Sequence, residues 1–589
     1  MAKTVEQYTE LDKLRHSCAH VLAQAVKRKY PHAKLGYGPP VEDGFFYDIH
    51  LPEPLTDAEL AEIEKEMAKV VAADYPFECK EVTADEARRI FKEKGEDFKL
   101  EMIEQAAAQG QKISVVVDGD FTDLCKYPHA HSTGLIKAFK LTSVAGAYWK
   151  GIETNPVMQR VYGTAFFSKK DLEEFERLRE EAKKRDHRKL GKELDLFMFT
   201  PLAPASPIFK PKGTVVYNLL QDYIRSIYRR DGYQEVITPQ VFDVELWKKS
   251  GHYDKYKDNM YFTHIEEREC AVKPMNCPSH TLIYASELRS YRDLPIRIAD
   301  FGRLHRYERS GVTAGLTRVR TFAQDDAHIF CREDQIGEEI AGVCRMIREV
   351  YDTFGFPECK VYLSTRPERK VGTDAIWDKA EAALEEAIRS NGLPYTVNAG
   401  DGAFYGPKID FVVQDALKRD WQLGTIQLDF NMPERFGLEY KNAEGGTSRP
   451  VMVHRAVLGS LERFMGILIE HYGGAFPLWL APMQLSVVPI ARAHEAYAAE
   501  VATLLRDKGY RLEVQSPDDT LGARIRKAQS EKIPYTLVVG DKEAQSRTVA
   551  VRSRVAGDQG QVDLAAFAER LADETRRRTT GLEARLTPK

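Results

Sequence analysis

IRIADFGRLHRYERSGVTAGLTRVRTFAQDDAHIFC (296–331) holds the densest chemistry in the chain. It reads as two strands joined by a loop containing Gly311 and Gly315. Residues of equal parity in a strand share a face. The even face of the second strand carries Arg318, Arg320, Phe322, Gln324, Asp326 and His328; the odd face carries Val319, Thr321, Ala323, Ala327 and Ile329. The water-facing side of a half-buried sheet would also be polar. Against that reading, this face combines cations, an aromatic, an amide, a carboxylate and an imidazole, without lysine or glutamate. Arg306 and Glu308 close the first strand. Arginine forks suit phosphates and carboxylates, and Phe322 between them offers a stacking surface for a base.

Outward from this segment the chain reads as four parts: 1–166, a connector at 167–192, a large block at 193–477 and a final part at 478–589. The first opens on an amphipathic helix with Leu11, Leu14, Cys18, Leu22 and Ala25 at spacings of three and four. A second helix is expected in TDAELAEIEKEMAKVV (56–71), with Gly- and Pro-marked strands around it. Residues 169–192 are almost all charged and read as one solvated helix. Past PLWLAPMQLSVVPI (477–490), strands and helices alternate, which predicts a small α/β domain with parallel strands.

Composition sets bounds. The 589 residues suggest about four domains. With 43% apolar and 30% charged residues the chain suits a globular protein and excludes a disordered one. No apolar run approaches the roughly 18 residues of a membrane span, so no membrane association is expected. The start lacks a secretory h-region. A net charge of −4 excludes a strongly basic wrapper of nucleic acid, yet residues 481–589 hold 18 Lys+Arg against 15 Asp+Glu, so a polyanion would dock there. Eight cysteines without a Cys-x-x-Cys pair point to a reducing, cytoplasmic setting.

FGRLHRYE followed by RVRTFAQDDAHIFC resembles motif 2 of class II aminoacyl-tRNA synthetases, in the form of the bacterial threonyl-tRNA synthetase family. The resemblance continues through AVKPMNCPSH (271–280), AFYGPKIDF (403–411), WQLGTIQLDF (421–430) and PVMVHRAVLGSLERF (450–464), the last similar to motif 3. It implies an α+β multidomain protein: a class II antiparallel sheet of six strands flanked by helices (193–477), an N-terminal α+β editing domain (1–166), a charged helical linker (167–192) and a C-terminal α/β anticodon-binding domain (478–589). The implied activity is threonine–tRNA ligase, which joins L-threonine to tRNA(Thr) at the cost of ATP. The implied roles follow residue by residue. Arg306 meets the α-phosphate and the threonine carboxylate. Glu308 meets the adenine, Phe322 and Arg463 stack on its two faces, Ser460 lies nearby, and Arg318 holds the γ-phosphate, with magnesium bridging the phosphates. One zinc per subunit would sit on Cys277, His328 and His454, whose spacing alone does not mark a metal site. Three protein ligands leave that metal open to the amino and hydroxyl groups of threonine, and valine has no hydroxyl to offer. Gln324, Asp326 and Tyr405 would shape the pocket. Gln422 (with ATP) and Gln427 (in catalysis) differ in parity, so both line the site only if the strand is irregular at Gly424. His252 would assist transfer near the terminal ribose of the tRNA.

Serine fits wherever threonine fits, so a second, hydrolytic site is required. His16 and His20 are four residues apart, opposite the apolar stripe. With Asp123, Cys125 and His129 in DLCKYPHAHSTG they resemble the editing domain of bacterial members of the family, in which Lys99 and Tyr47 also match. The expected chemistry is water-mediated hydrolysis of seryl-tRNA, with His16 and Lys99 on the water and Cys125 and His129 near the ester; the same histidines and cysteine could instead hold zinc. Lys126 and Tyr127 replace the usual Arg-Gly, and the tyrosine is expected to narrow the pocket or the path of the tRNA end. Ser279 replaces a usual glycine, which should be tolerated. The small ubiquitin-like domain that often precedes editing is expected to be missing.

In GDKEAQSRTVAVRSR (540–554) the resemblance assigns Glu543 and Arg552 to anticodon bases, with Asp518 a further contact where asparagine is frequent. Arg524, Arg526 and Lys527 would meet phosphates or form a solvated face. VVYNLLQDYIRSIYRRDGYQEVITPQV (215–241) resembles motif 1, which implies a homodimer. A non-catalytic threonine-sensing or RNA-binding regulator on this fold would be expected to lose Arg306 or Arg463, and both are present. A metallohydrolase centred on the two N-terminal histidines would leave 193–589 without a role.

Overall fold

A capping box opens the first helix. The Thr9 hydroxyl accepts the Asp12 N–H at 3.1 Å, and the Asp12 carboxylate accepts the Thr9 N–H at 2.9 Å. The computed structural model describes residues 8–580, in two compact units, Met1–Glu180 and Glu181–Lys589.

In the first unit, α1 (Glu10–Lys29) is buried at every position from 14 to 26, His16 and His20 included. The expected amphipathic helix with its histidines turned from the core is therefore enclosed on all sides along its middle, with only its ends reaching solvent. It packs on the strands β1 (Gly44–His50) and β6 (Val157–Phe166) and on α2 (Asp57–Ala72). β1 and β6 are antiparallel, and β6 pairs in turn with β5 (Ala138–Tyr148). A second antiparallel sheet holds β2 (Glu78–Val82), β3 (Ile113–Asp118) and β4 (Phe121–Leu124), with α3 (Asp97–Ala108) against β3.

The charged connector is not one helix. α4 (Lys169–Arg185) has no buried residue, as its composition predicts. The chain then breaks at Asp186, whose carboxylate accepts the Arg188 N–H and caps α5 (His187–Glu193). His187 is drawn inward: its Nδ1 lies 2.6 Å from Glu470 and its Nε2 accepts the Leu316 N–H at 2.9 Å. Gly315 has φ +53° here, and a Cβ on it would lie 2.2 Å from His187 Nε2. This loop glycine is required twice, by its backbone and by its neighbour.

The second unit is built on an eight-stranded sheet. After α6 (Pro211–Asp231) and α7 (Cys277–Ala285) come β7 (Ile296–Asp300), β8 (Arg303–His305), β9 (Thr321–Ala323), β10 (Asp326–Cys331), β11 (Cys359–Ser364), β12 (Lys408–Gln414), β13 (Asp420–Asp429), β14 (Val451–Ala456) and α8 (Leu461–His471). Six strands run antiparallel in the order β7-β10-β14-β13-β12-β11. Short strands at 234–235 and 395–398 extend the two edges in parallel. The main core lies between this sheet and helices that include α6 and α8.

The two strands expected in 296–331 are four. β8 and β9 form a separate pair, and only β7 and β10 enter the large sheet. The break falls at Asp325, between the end of β9 and the start of β10. Its buried carboxylate accepts the N–H groups of Val457 (2.8 Å) and Leu458 (2.9 Å) and lies 3.3 Å from the buried Arg455 guanidinium. The carboxylate thereby ties the start of β10 to the segment after β14. Burial pushes the Asp325 carboxyl up to about 6 against the opposing pull of Arg455.

The last part forms the sheet β16-β15-β17-β18-β19, from β15 (Leu485–Pro489), β16 (Leu512–Val514), β17 (Tyr535–Val539), β18 (Thr548–Ser553) and β19 (Gly557–Asp563). The three strands expected to be parallel are parallel. An antiparallel β18–β19 hairpin makes the sheet mixed. Among the described residues no helix is long and apolar enough to cross a membrane.

Arg455→Met should leave Asp325 as an uncompensated buried charge. Denaturant midpoints should report a loss of roughly 3–5 kcal/mol, and adding Asp325→Leu should recover part of it.

Candidate active site and a second polar cavity

Between β9, β13 and the start of α8 lies a cavity of about 540 Å³ lined by Arg306, Glu308, Arg318, Phe322, Gln324, Gln422, Gln427, Ser460 and Arg463. Three guanidinium groups therefore face one space. Arg306 lies 5.0 Å over the Phe322 ring and donates to Pro274 O at 3.3 Å. Arg318 pairs with Glu308 at 2.9 Å. Arg463 sits at the first turn of α8, where the Ser460 hydroxyl caps the helix by accepting its N–H. The Arg463 Nε is buried without a hydrogen-bond partner. Such a group beside an open cavity leaves a donor available to whatever fills it. Trp421, which the sequence reading passed over, lies 5.7 Å from the Arg463 guanidinium and lines the same space, as does Lys408. Arg320 turns away and donates to Glu308 O.

Gln422 and Gln427 reach the cavity together because β13 is bulged. Phe411 pairs with Gly424 and Val412 with Gln422, so Leu423 is the extra residue. Gly424 is held by the Tyr351 hydroxyl, which accepts its N–H at 2.6 Å and donates to Val457 O at 3.0 Å.

Deeper in the sheet, Cys277, His328 and His454 are all buried, with one ligand-type atom from each within 4.8 Å of the others. Strand register does most of this: His328 on β10 pairs directly with His454 on β14, and His454 with Gln427 on β13. Cys277 arrives on the first turn of α7. Each imidazole is held through one nitrogen. His328 Nδ1 lies 2.7 Å from His280 Nδ1, and His454 Nε2 lies 3.0 Å from Asp429. Burial, with Asp326 and Asp429, pushes the Cys277 thiol up, so a thiolate there needs a cation beside it. One sulfur and two nitrogens, buried and oriented from behind, fit zinc.

Around the trio, the Tyr405 hydroxyl donates to Gln427 at 2.5 Å and its ring lies 4.9 Å from His454. Asp326 accepts from Asn276 at 3.1 Å, and burial pushes its carboxyl up to about 6. His252 is fully buried, with Nδ1 2.8 Å from the Ser250 hydroxyl and Nε2 3.1 Å from Met275 Sδ and 3.9 Å from Cys277 Sγ. Burial, with His454 and Arg306, pushes it down to about 3. Ser279 is accommodated: its hydroxyl donates to Asn276 O at 2.6 Å.

The first unit holds its own cavity, about 420 Å³, lined by His16, His20, Lys99, Asp123, Cys125 and Tyr127 among others. His16, His20, Cys125 and His129 also converge within 4.8 Å. The buried Asp123 carboxylate organises one wall. It takes donors from Tyr47 (2.5 Å), His20 (2.9 Å) and Lys99 (2.5 Å). Burial opposes its charge, but Lys99 and His20 hold it well below the usual carboxylate range. Burial likewise disfavours protonated His20, yet Asp123 and Cys125 raise it to about 10. The Cys125 thiol, 3.4 Å from His16, is held well below its usual range by His16, His129 and His20 against burial. His129 is pushed down to about 4 by burial and lies 3.4 Å from Cys79, a neighbour the sequence did not reveal. Tyr127 stacks on Tyr8 at 5.5 Å and sets its edge to His16 at 6.0 Å. The bulky residue at this position thus forms part of the cavity wall.

The C-terminal readers are less free than expected. Glu543 is a capping residue: its carboxylate accepts the Gly540 N–H (2.9 Å) and the Gln561 amide (2.5 Å). Arg552 is exposed and paired with Asp558, and Asp518 is exposed and paired with Arg492, each at 3.0 Å. Arg524 does not meet solvent; it is buried and donates to Pro489 O and Ile490 O.

Comparison with known proteins matches residues 261–472 to the tRNA synthetase class II core domain (G, H, P, S and T), 484–574 to the anticodon binding domain, and 113–162 to the threonyl and alanyl tRNA synthetase second additional domain. The threonine–tRNA ligase of Acetivibrio thermocellus is 52% identical, over 95% of this chain and 88% of that one. The threonine–tRNA ligase of Carboxydothermus hydrogenoformans is 51% identical, over 97% of this chain and 90% of its own. Among solved structures, the RNA binding domain of threonyl-tRNA synthetase from Cryptosporidium parvum Iowa II shares 44% identity at a TM-score of 0.65, over 66% of this chain and 98% of that chain. With such relatives aligned along nearly all of its length, the chain belongs to the threonine–tRNA ligase family, a class II aminoacyl-tRNA synthetase family, here with editing-type and anticodon-binding domains.

Proposed function

We propose that this protein activates L-threonine with ATP, transfers the threonyl group to tRNA(Thr), and hydrolyses seryl-tRNA(Thr) formed in error. The observation that carries the reading is the convergence of Arg306, Arg318 and Arg463 on one cavity, with Gln427 reaching from it to the His454 partner position. In activation a carboxylate oxygen attacks the α-phosphorus and pyrophosphate leaves. Fixed cations lower the barrier for that crowded anion more than a proton acceptor would. Arg306 binds the α-phosphate and the threonine carboxylate, Arg318 the γ-phosphate of the magnesium–ATP complex. Phe322 and Arg463 enclose the adenine, Glu308 and Ser460 lie at its edges, and Gln422 and Gln427 border the reacting groups. Cys277, His328 and His454 would hold one zinc per subunit, which supplies an open position that an amine with a β-hydroxyl completes and valine does not. Asp326, Gln324 and Tyr405 orient the amino acid. His252, kept neutral by its burial, positions the terminal ribose of the tRNA.

The same reasoning assigns 1–166 to editing, 167–192 to a linker, 193–477 to synthesis and 478–589 to the anticodon. In the first cavity His16 and Lys99 orient water, Asp123 holds His20 and Lys99 in place, and Cys125 and His129 flank the ester. Arg552 and Asp518 meet the anticodon loop from exposed positions, and Glu543 shapes that surface. The expected homodimer rests on the likeness of 215–241 to motif 1. The free cysteines suit a cytoplasmic setting.

Threonine-dependent exchange of pyrophosphate into ATP tests the activation step. Arg463→Ala should lower the exchange rate by about 10²–10³ with an unchanged circular dichroism spectrum. Elemental analysis should find one zinc per subunit, lost together with exchange in Cys277→Ala; two equivalents would place a second ion on the N-terminal cluster. His16→Ala combined with His20→Ala should let seryl-tRNA accumulate while threonylation keeps its rate. Normal clearance of seryl-tRNA by that variant would remove the first cavity from editing.

A further inference from the structure

α7 carries Cys277 and, one turn on, His280, so both side chains leave the same face of the helix. His280 is buried, its Nδ1 is 2.7 Å from His328 Nδ1, and the two rings meet edge to face at 4.7 Å. Two ring nitrogens this close share one proton, with one donating and the other accepting. Were His280 the donor, neutral His328 would carry its own proton on Nε2 and have no lone pair left for a cation. With His328 as donor, its Nε2, 3.8 Å from Asp326, keeps a lone pair to offer a cation. His280 then keeps its proton on Nε2, and that nitrogen is buried without a partner. Packing alone would not select such an arrangement, and an unsatisfied buried donor calls for a functional reason.

We propose that His280 is a positioning residue for the central thiolate–imidazole trio: it accepts the Nδ1–H of His328 and so fixes the tautomer that presents Nε2 as the ligand nitrogen. The inference rests on the reading that this trio holds zinc. Asp429 does the corresponding work for His454. The choice of a neutral acceptor behind His328 has its own logic. The trio already has the Cys277 sulfur, Asp429 and Asp326 close by, and an imidazole takes the hydrogen bond without adding another negative charge.

The test compares His280→Asn, which returns an acceptor oxygen near the Nδ1 position, with His280→Phe, which keeps a ring and no acceptor. Zinc release to a chelator should be about 10- to 100-fold faster in His280→Phe and within roughly threefold of the unmodified protein in His280→Asn. In the cobalt-substituted protein the d–d bands should shift in the first and persist in the second, a readout that general loosening of the core would not separate. Unchanged zinc release and an unchanged cobalt spectrum in His280→Phe would overturn the proposal. A zinc-loaded crystal structure of the unmodified protein decides independently of how the variants fold: ligation through His328 Nε2 with the His280 contact kept supports it, and ligation through Nδ1 overturns it. Unmodified protein without zinc, or with zinc that Cys277→Ala retains, would instead overturn the reading of the trio and this inference with it.

Discussion

The direct pairing of His328 with His454 across two neighbouring strands is the constraint on which the central site depends. Paired residues on antiparallel strands bring their side chains within about 4.5–5.5 Å at Cβ, so register alone sets two imidazoles side by side. The next strand brings Gln427 opposite His454, and the bulge one turn of the pleat away returns Gln422 to the same cavity. Asp325 and Arg455 lock that register from the other face, since a slip of one residue would bury both imidazoles in the wrong layer. The guanidinium cavity and the thiol–imidazole trio are thus two ends of a single strand alignment.

The two polar centres use the same residue types to opposite electrostatic effect. Around the central trio, burial and nearby cations depress His252 and His280 to about 3, which leaves neutral imidazoles with lone pairs to offer. In the first unit Asp123 and Cys125 together overcome burial at His20 and raise it to about 10. His16, His20, Cys125 and His129 in the first unit, and Cys277, His328 and His454 in the second, each bring ligand-type atoms within 4.8 Å of one another, so the two centres differ in the charge carried by the imidazoles around them.

Much of this is legible in the amino-acid sequence. The grouping of Arg318, Phe322 and Gln324, the six antiparallel strands implied by the motifs and the parallel start of the last domain follow from alternation and resemblance, whereas the single polar face over 318–328 is broken between β9 and β10 and loses Arg320. The irregularity at Gly424 followed from parity, because two glutamines five residues apart cannot share an unbroken strand face. What was hidden depends on partners distant in sequence. Cys277, His328 and His454 are separated by 51 and 126 residues, and no spacing rule joins them. Asp325 takes its role from Arg455 and two backbone N–H groups that lie 130 to 133 residues further along the chain. The last turns of the connector, from His187, are drawn inward because Glu470 and the Leu316 N–H hold that imidazole, and Glu543 is a helix cap because Gly540 and Gln561 lie in reach.

The Tyr351 hydroxyl has a broader consequence. It joins the bulged strand to the segment that leads into α8, through Gly424 on one side and Val457 on the other. Its own ring is rooted in the hydrophobic interior, on a helix that contributes no residue to the lining of the guanidinium cavity. Two walls of that cavity are therefore braced from behind by one phenol, and a change at Tyr351 would reach the cavity's shape without altering any residue that lines it.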